Sequence, residues 1–175
     1  MPASGSPEMD QGAPARGPWW RGQRGEWLVV LQVCLMLLVA AGPRTIGGWP
    51  ARPFPFPDLA WRVGLVLLLA GSAFFLAGIR TLGPSLTALP HPKADAVFTR
   101  SGLYAIVRHP IYSAVLLLCV GWSLARQSWL TLVYTFVLFV FFEVKTRREE
   151  RWLTQRFPEY AAYRRHVRKF VPFVY

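Results

Sequence analysis

The sequence predicts an all-α membrane protein of about four transmembrane helices, the last two forming a helical hairpin, followed by a cytoplasmic amphipathic tail. Two observations lead to this prediction. Of the 175 residues, 53% are hydrophobic, and they are concentrated in four long apolar runs rather than in short alternating ones. Turn-forming or charged residues separate these runs. A chain of this length fits a single domain.

The predicted spans follow directly from the apolar runs, which cover residues 27–41, 59–79, 111–125 and 128–144. Only the second run has the roughly 20 residues that a helix needs to cross about 30 Å of hydrocarbon. The other three are short by about a turn, so flanking Trp, Tyr and Arg side chains are expected to anchor their ends.

The connections between the runs differ in kind. Residues 47–61, GGWPARPFPFPDLAW, contain too many prolines and glycines for a helix and predict a tight interfacial connector. Only Arg126 and Gln127 interrupt the apolar pattern between the third run and the fourth. This short interruption predicts the helical hairpin.

The two ends of the chain are polar. Residues 1–24 are rich in Gly, Pro and Ser, lack the compact apolar core of a secretory signal, and are expected to be disordered. The C-terminal tail predicts an amphipathic helix broken at Pro158 and lying on, or packed under, the membrane face. One helical face before the break carries Trp152, Leu153, Arg156 and Phe157, and another after it carries Tyr160, Tyr163 and Val167.

The formal net charge of +11 limits the classes of molecule that the protein is expected to bind. A nucleic-acid-binding domain does not also carry four apolar stretches of near-spanning length, so no nucleic acid is expected as a partner. Membrane lipids with anionic head groups are the expected partner of the basic surface. With four spans, one side of the membrane carries sixteen Lys and Arg residues and the other carries four. The positive-inside rule therefore predicts that both termini are cytoplasmic.

Cysteine usage excludes two kinds of site. Cys34 and Cys119 both lie inside apolar runs, with no Cys or His at metal-ligand spacing. Neither a disulfide framework nor a metal site is therefore expected.

Two polar clusters flank the hairpin, and they contain the candidate functional residues. One is TRSGLYAIVRHPIYSA at residues 99–114, and the other is RREERWL at residues 147–153. Because one precedes the third span and the other follows the fourth, the hairpin brings them together at the membrane surface. Taken singly, these residues also fit ordinary roles as interfacial charges, belt aromatics and ion-pair partners.

The ordered set of motifs carries a family resemblance over about the last two-thirds of the chain. LGPSLTALPHP, GLYAIVRHPIYS, EERWLTQRFPEYAAYRRHV and a closing Val-Pro follow one another. This order resembles the isoprenylcysteine carboxyl methyltransferase and phospholipid methyltransferase superfamily of integral membrane methyltransferases. The resemblance implies that residues 25–175 form the methyltransferase domain, with cofactor-site segments at 99–114 and 145–172.

The resemblance also implies S-adenosyl-L-methionine as cofactor, held between the RHPIY segment and the glutamate pair, and no metal. A glutamate suits the ammonium of this cofactor, Arg and His donors suit its carboxylate or ribose, and tyrosines suit the pocket wall. The expected cofactor-binding residues are Tyr104, Arg108, His109, Pro110, Tyr112, Glu149 and Glu150.

Methyl transfer is an in-line displacement, so catalysis would rest on alignment and on exclusion of water. The expected catalytic residues are His109, Arg165 and His166. Either histidine could take a proton from an amine acceptor. His166 stands where the prenylcysteine enzymes of this superfamily carry an arginine for the substrate carboxylate, a role that Arg165 or Arg164 could take. The acceptor is expected to be lipophilic: an isoprenylcysteine carboxylate, a phospholipid amine or another membrane-dissolved molecule.

Two other classes of protein are alternatives. A membrane reductase of the steroid-reductase type, using NADPH, has a similar C-terminal hairpin, but a cofactor with extra phosphates favours Arg and Lys over a glutamate pair. A non-catalytic membrane scaffold or transport protein also fits the topology. Transport usually requires polar or broken positions near the midplane, and the four runs offer few: Gly64, Gly71, Ser72 and Gly78.

Overall fold

The computed structural model describes residues 25–50, 54–83, 98–172 and 174. These residues contain helices and no β-strand, which confirms the all-α prediction for this part of the chain. In chain order the elements are α1 Glu26–Ala41, α2 Pro57–Leu82, a 3-10 helix Gly102–Ala105, α3 Pro110–Ala125, α4 Trp129–Arg156 and α5 Tyr160–His166. The expectation of disorder for residues 1–24 concerns residues outside these ranges.

Each predicted apolar run corresponds to one helix, and local sequence explains where the helices begin. Pro57 and Pro110 occupy the first turns of α2 and α3, where a missing backbone N–H costs nothing. The Ser128 side chain accepts a hydrogen bond of 3.2 Å from the backbone N–H of Thr131 and so caps α4.

Two of the helices, α2 and α4, are long and apolar enough to cross a membrane by length and composition. The other two apolar helices, α1 and α3, have 16 residues each. At 1.5 Å per residue such a helix is about 24 Å long, shorter than the hydrocarbon layer of about 30 Å. The predicted fourth span ended at residue 144, whereas α4 continues without a break to Arg156. The glutamate pair therefore lies on a rigid extension of the span.

The close pairing of α2 with α3 depends on glycines at intervals of seven residues. Gly64, Gly71 and Gly78 are the buried glycines of α2. A Cβ atom on Gly64 would lie 2.7 Å from the backbone oxygen of Gly121 in α3, too close for any side chain. The two helix backbones thus touch directly, as small residues allow within membranes.

The main apolar core lies between α1, α3 and α4. The α3–α4 hairpin is further joined by a buried hydrogen bond of 3.1 Å between the hydroxyls of Ser123 and Thr135. Cys119 is buried and Cys34 is exposed, and both are free thiols. The buried apolar residues of this core are Val39, Val115, Cys119, Leu130, Tyr134, Leu138, Phe141, Phe142 and Phe170.

The tail differs in part from the prediction. The helix does break around Pro158, between the end of α4 and the start of α5. The second helix ends at His166, however, so Val167 does not continue its apolar face. Beyond that point the backbone pairs with the segment before α3: the N–H of Arg108 donates to the Arg168 carbonyl at 2.8 Å. These backbone hydrogen bonds satisfy peptide groups that a further turn of helix would otherwise have to pair.

Candidate functional site

The structure brings the two polar clusters together around His109, the residue that precedes α3. Its side chain is buried, and its ring lies between the adjacent glutamates of α4. The Nε2 atom is 3.1 Å from Oε1 of Glu150, and Nδ1 is 3.7 Å from Oε2 of Glu149. One imidazole therefore faces two carboxylates that diverge from neighbouring positions of one helix.

Arg108 joins this centre to the tail. Its Nε atom donates to Oε1 of Glu150 at 2.9 Å. Its terminal nitrogen donates to the backbone carbonyls of Arg164 at 2.9 Å and of Val167 at 2.6 Å. The guanidinium thus fixes the position of Glu150 against α5 and the strand-like segment after it, using several of its five donors.

Tyr112, in the first turn of α3, holds the other glutamate. Its hydroxyl donates to Oε1 of Glu149 at 2.5 Å. The ring stacks on His109 with centroids 5.7 Å apart, and on Phe142 of α4 with centroids 4.6 Å apart. Glu149, His109 and Tyr112 are therefore positioned by packing as well as by hydrogen bonds.

Sequence reasoning missed Lys145, which it counted only as a cytoplasmic charge. The side chain is fully buried, and its Nζ donates to Oε1 of Gln32 in α1 at 2.6 Å. The same atom lies 3.9 Å from Oε1 of Glu149. Two features of the sequence could have indicated this contact. Lys145 lies one helical turn before Glu149, and Gln32 is a lone amide in the apolar α1.

The two glutamates have different electrostatic environments. Burial raises the pKa of Glu149, although the charges of His109 and Lys145 and the Tyr112 hydrogen bond oppose this. Burial would also raise the pKa of Glu150, but the His109 hydrogen bond and charge and the Arg108 charge outweigh it and lower the pKa to about 2. Glu150 is therefore the permanent carboxylate of the pair, and Glu149 takes up a proton more readily.

The remaining expected residues lie at different distances from this cluster. Pro110 is fully buried and begins α3 directly after His109. Tyr104 lies in the 3-10 helix, and its carbonyl accepts a 2.5 Å hydrogen bond from the Tyr163 hydroxyl. Arg165 and His166 are exposed on α5. The structure thus brings the expected cofactor residues of α3 and α4 together and leaves these two on the solvent side of the tail.

A cleft of about 680 Å³ opens beside the cluster, between the end of α4 and the tail. Arg108 and Glu150 both line it. This volume is within the range of small-molecule sites. A guanidinium beside a carboxylate is the donor and acceptor pair that the amino-acid end of S-adenosyl-L-methionine requires, so the residues present fit this cofactor.

Comparison with known proteins places this chain in a family. The sequence matches the phospholipid methyltransferase family over residues 59–160, which is more than half of the chain. The chain therefore belongs to the phospholipid methyltransferase family.

Individual relatives agree with this assignment. The chain is 33% identical to a probable protein-S-isoprenylcysteine O-methyltransferase of Oryza sativa subsp. indica, over 68% of this chain and 67% of the relative. It is 31% identical to the protein-S-isoprenylcysteine O-methyltransferase of Saccharomyces cerevisiae, over 64% of this chain but only 48% of that protein. This chain thus spans about half the length of the yeast relative.

A solved structure shares the fold. It is that of a eukaryotic intramembrane Ras methyltransferase, an isoprenylcysteine carboxyl methyltransferase, and it superposes with a TM-score of 0.60 at 21% sequence identity. The match covers 85% of this chain and 52% of the solved one. The family match and the relatives confirm the family prediction made from the ordered motifs, and this structure confirms the fold.

Proposed function

We propose that this protein is an integral membrane methyltransferase that uses S-adenosyl-L-methionine to methylate a lipophilic acceptor. The observation that carries the proposal is the buried network in which His109 bridges Glu149 and Glu150 while Arg108 secures Glu150 beside the cleft. Family membership and the shared fold support the same class of reaction.

The proposal includes the position of the protein in the membrane. Residues 25–175 form the methyltransferase domain, with four spans and both termini on the cytoplasmic side. The sixteen-to-four distribution of Lys and Arg supports this orientation. The network lies at the cytoplasmic end of α4, so the site meets both the aqueous phase and the bilayer.

The residues proposed to hold the cofactor surround one end of the cleft. The bound cofactor supplies an electrophilic methyl group and needs no metal to transfer it. Glu150, ionised at all physiological pH values, suits the ammonium group, and Arg108 suits the carboxylate. The proposed cofactor-binding set is Tyr104, Arg108, His109, Pro110, Tyr112, Glu149 and Glu150.

The chain's own contribution to the reaction is alignment and proton handling. The stacked rings of His109, Tyr112 and Phe142 fix the glutamates and exclude water from one side of the site. An amine acceptor must lose a proton before it attacks, and a carboxylate acceptor need not. Glu149, whose pKa burial raises, and His109 can hold such a proton. Arg165 and His166 remain the proposed residues for the acceptor's polar group.

Isoprenylcysteine carboxylates are the first acceptors to test, because the rice and yeast relatives are named for that activity. Such an acceptor is lipophilic and reaches the cytoplasmic end of α4 through the bilayer. The glutamate pair around His109 argues against the reductase alternative, since a cofactor with extra phosphates favours Arg and Lys over paired carboxylates.

The test is methyl transfer from radiolabelled S-adenosyl-L-methionine to a soluble isoprenylcysteine analogue and, separately, to membrane lipid extract, using purified full-length protein. We expect label in the organic phase with wild type and at least about a hundredfold less with Glu150→Gln, since a buried ionic hydrogen-bond partner is lost. Glu159→Gln, an exposed carboxylate on the tail, is the matched control and should retain activity. Equal activity in both variants would contradict the proposal.

A further inference from the structure

The cleft beside the network has an unbalanced charge. Among the described residues that line it, two side chains are carboxylates, Glu143 and Glu150, and six are cationic, which leaves four positive charges in excess. The cationic residues are Arg108, Arg147, Arg151, Arg164, Arg168 and Lys169. Like charges gathered around one concave surface raise the local concentration of anions.

The two carboxylates are already shared among several of these cations. Glu143 accepts from Nζ of Lys169 at 2.6 Å and lies 3.4 Å from Nε of Arg147. Glu150 is 2.9 Å from Nε of Arg108 and 3.8 Å from Nε of Arg164. The carboxylates therefore do not neutralise the cleft. The proposed cofactor does not either, because one sulfonium and one ammonium outweigh its single carboxylate.

The arginines form two opposed rows. Arg147 and Arg151 are one helical turn apart on α4, and Arg164 and Arg168 are four residues apart on the tail. Both rows line the same cleft. Arginine's planar fork suits bidentate binding of phosphate oxygens, and two rows of it surround a tetrahedral anion from both sides.

The position of the cleft along α4 places it at the level where lipid phosphates lie. Arg151 is 22 residues after the first residue of α4, about 33 Å along the helix at 1.5 Å per residue. That distance slightly exceeds the hydrocarbon thickness of about 30 Å and corresponds to the level of lipid head groups. Polybasic surfaces at this level attract anionic lipids.

We infer that this cleft is a binding site for a phosphate anion, supplied by the head group of an anionic phospholipid or by free phosphate, with the two arginine rows as its ligands. The four arginines of the two rows are its principal residues, and they share the cleft with Arg108 and Glu150 of the proposed cofactor site. The phosphate site stabilises the packing of the tail against α4 when occupied, since the anion neutralises both walls.

The test uses the full-length protein in phosphatidylcholine nanodiscs, titrated by calorimetry with dioctanoyl phosphatidylglycerol, with dioctanoyl phosphatidylcholine and with inorganic phosphate. We expect saturable binding of the anionic lipid that Arg151→Gln with Arg168→Gln weakens by at least about tenfold, because one guanidinium is lost from each wall. Arg148→Gln with Arg156→Gln removes the same charge from exposed positions that do not line the cleft. This control pair should change the affinity by less than about twofold.

The competition arm separates the two sources of phosphate. If millimolar inorganic phosphate displaces the lipid, free phosphate is a sufficient ligand. If the lipid stays bound in millimolar phosphate, the lipid head group is the ligand. Equal losses in the two variant pairs would show only diffuse charge attraction and would overturn the inference, as would equal affinity for the two lipids. Should the cleft variant not fold, Arg151→Gln alone carries the same comparison against Arg148→Gln. Binding of S-adenosylhomocysteine, measured on the same samples, reports on the proposed function separately.

Discussion

At the scale of single residues, the central feature is that adjacent glutamates have opposite tendencies. Glu150 contacts Arg108 and His109 closely, so its carboxylate is stabilised despite burial. Glu149 is held by a tyrosine hydroxyl at 2.5 Å and by more distant cations, so burial dominates. Pairs of acids whose pKa values are pushed apart are typical of sites that need one fixed charge and one exchangeable proton.

This difference predicts opposite pH dependences. The pKa of Glu150 falls from its ordinary value near 4.5 to about 2, so its stabilising contribution is complete above about pH 4.5 and is lost as the pH falls towards 2. The difference in melting temperature between wild type and Glu150→Gln should therefore be constant from pH 7 to about 4.5 and shrink below it. Differential scanning fluorimetry in detergent measures this difference.

Glu149→Gln is the matched comparison. Because the pKa of Glu149 is raised, the folded state binds its proton more tightly than the unfolded state, and wild type should gain stability relative to this variant as the pH falls through that pKa. The same slope for both variants would contradict the assignment of one permanent carboxylate and one exchangeable proton.

At the scale of elements, the α2–α3 pair fixes where the RHP segment begins its helix. A Cβ added to Gly78 would lie 3.2 Å from Cγ1 of Ile111, so α2 packs against the first turn of α3, directly beside His109. Gly64 and Gly121 meet at the other end of the same interface. The sequence spacing of seven residues therefore sets the register of the helix that carries the site.

Substituting Gly64 tests this packing. Gly64→Ala places a methyl group 2.7 Å from a backbone oxygen and 2.8 Å from the backbone nitrogen of Ala125, neither of which can rotate away. We expect a loss of about 1–3 kcal/mol in unfolding free energy, the usual cost of overpacking. Ser72→Ala, on the exposed face of α2, is the control and should change stability by less than about 0.5 kcal/mol. Unfolding in mixed detergent micelles would measure both, and equal stabilities would contradict the close approach.

Local sequence signals specify the helices but not the contacts between distant segments of the chain. Apolar runs and prolines located α1, α2, α3 and the start of α4 within a few residues, because these signals are local. The charged residues after position 144 hid the continuation of α4 to Arg156. The hairpin likewise placed Arg108, His109 and the glutamate pair together. The pairing of the tail with Arg108, and the contact of Lys145 with Gln32, join residues 60 and 113 positions apart in the chain. No periodicity within one segment encodes such contacts, so the final extended segment and the buried lysine were missed.

At the scale of the whole molecule, the arrangement concentrates positive charge and the polar network at one end of the helices. The opposite end carries Arg126, whose terminal nitrogens donate to the backbone carbonyls of Ala40 at 2.7 Å and Gly42 at 3.2 Å. This arginine closes the ends of α1 and α3 against each other. The two ends therefore differ in chemistry, and this difference supports the proposed orientation.

Orientation is measured with reporter fusions. Fluorescent protein fused at either terminus should fluoresce, because both termini are proposed to be cytoplasmic, and a periplasmic phosphatase inserted between Gly47 and Gly48 should be active in a bacterial host. The insertion point lies in the α1–α2 connection and leaves the helices intact. Phosphatase activity at a terminus, together with fluorescence of a reporter inserted in the connection, would contradict the proposed topology.

The measurement that tests the central claim most directly is calorimetric titration of the purified full-length protein with S-adenosylhomocysteine, with NADPH as the comparison ligand. The proposed site predicts saturable binding at roughly micromolar concentration, as is typical of cofactor sites, and no binding of NADPH. It further predicts that Glu150→Gln or His109→Ala abolishes the signal while the variant remains inserted in membranes. No binding of S-adenosylhomocysteine in lipid-supplemented micelles, or unchanged affinity in both variants, would contradict the assignment of the buried His109 network as the cofactor site.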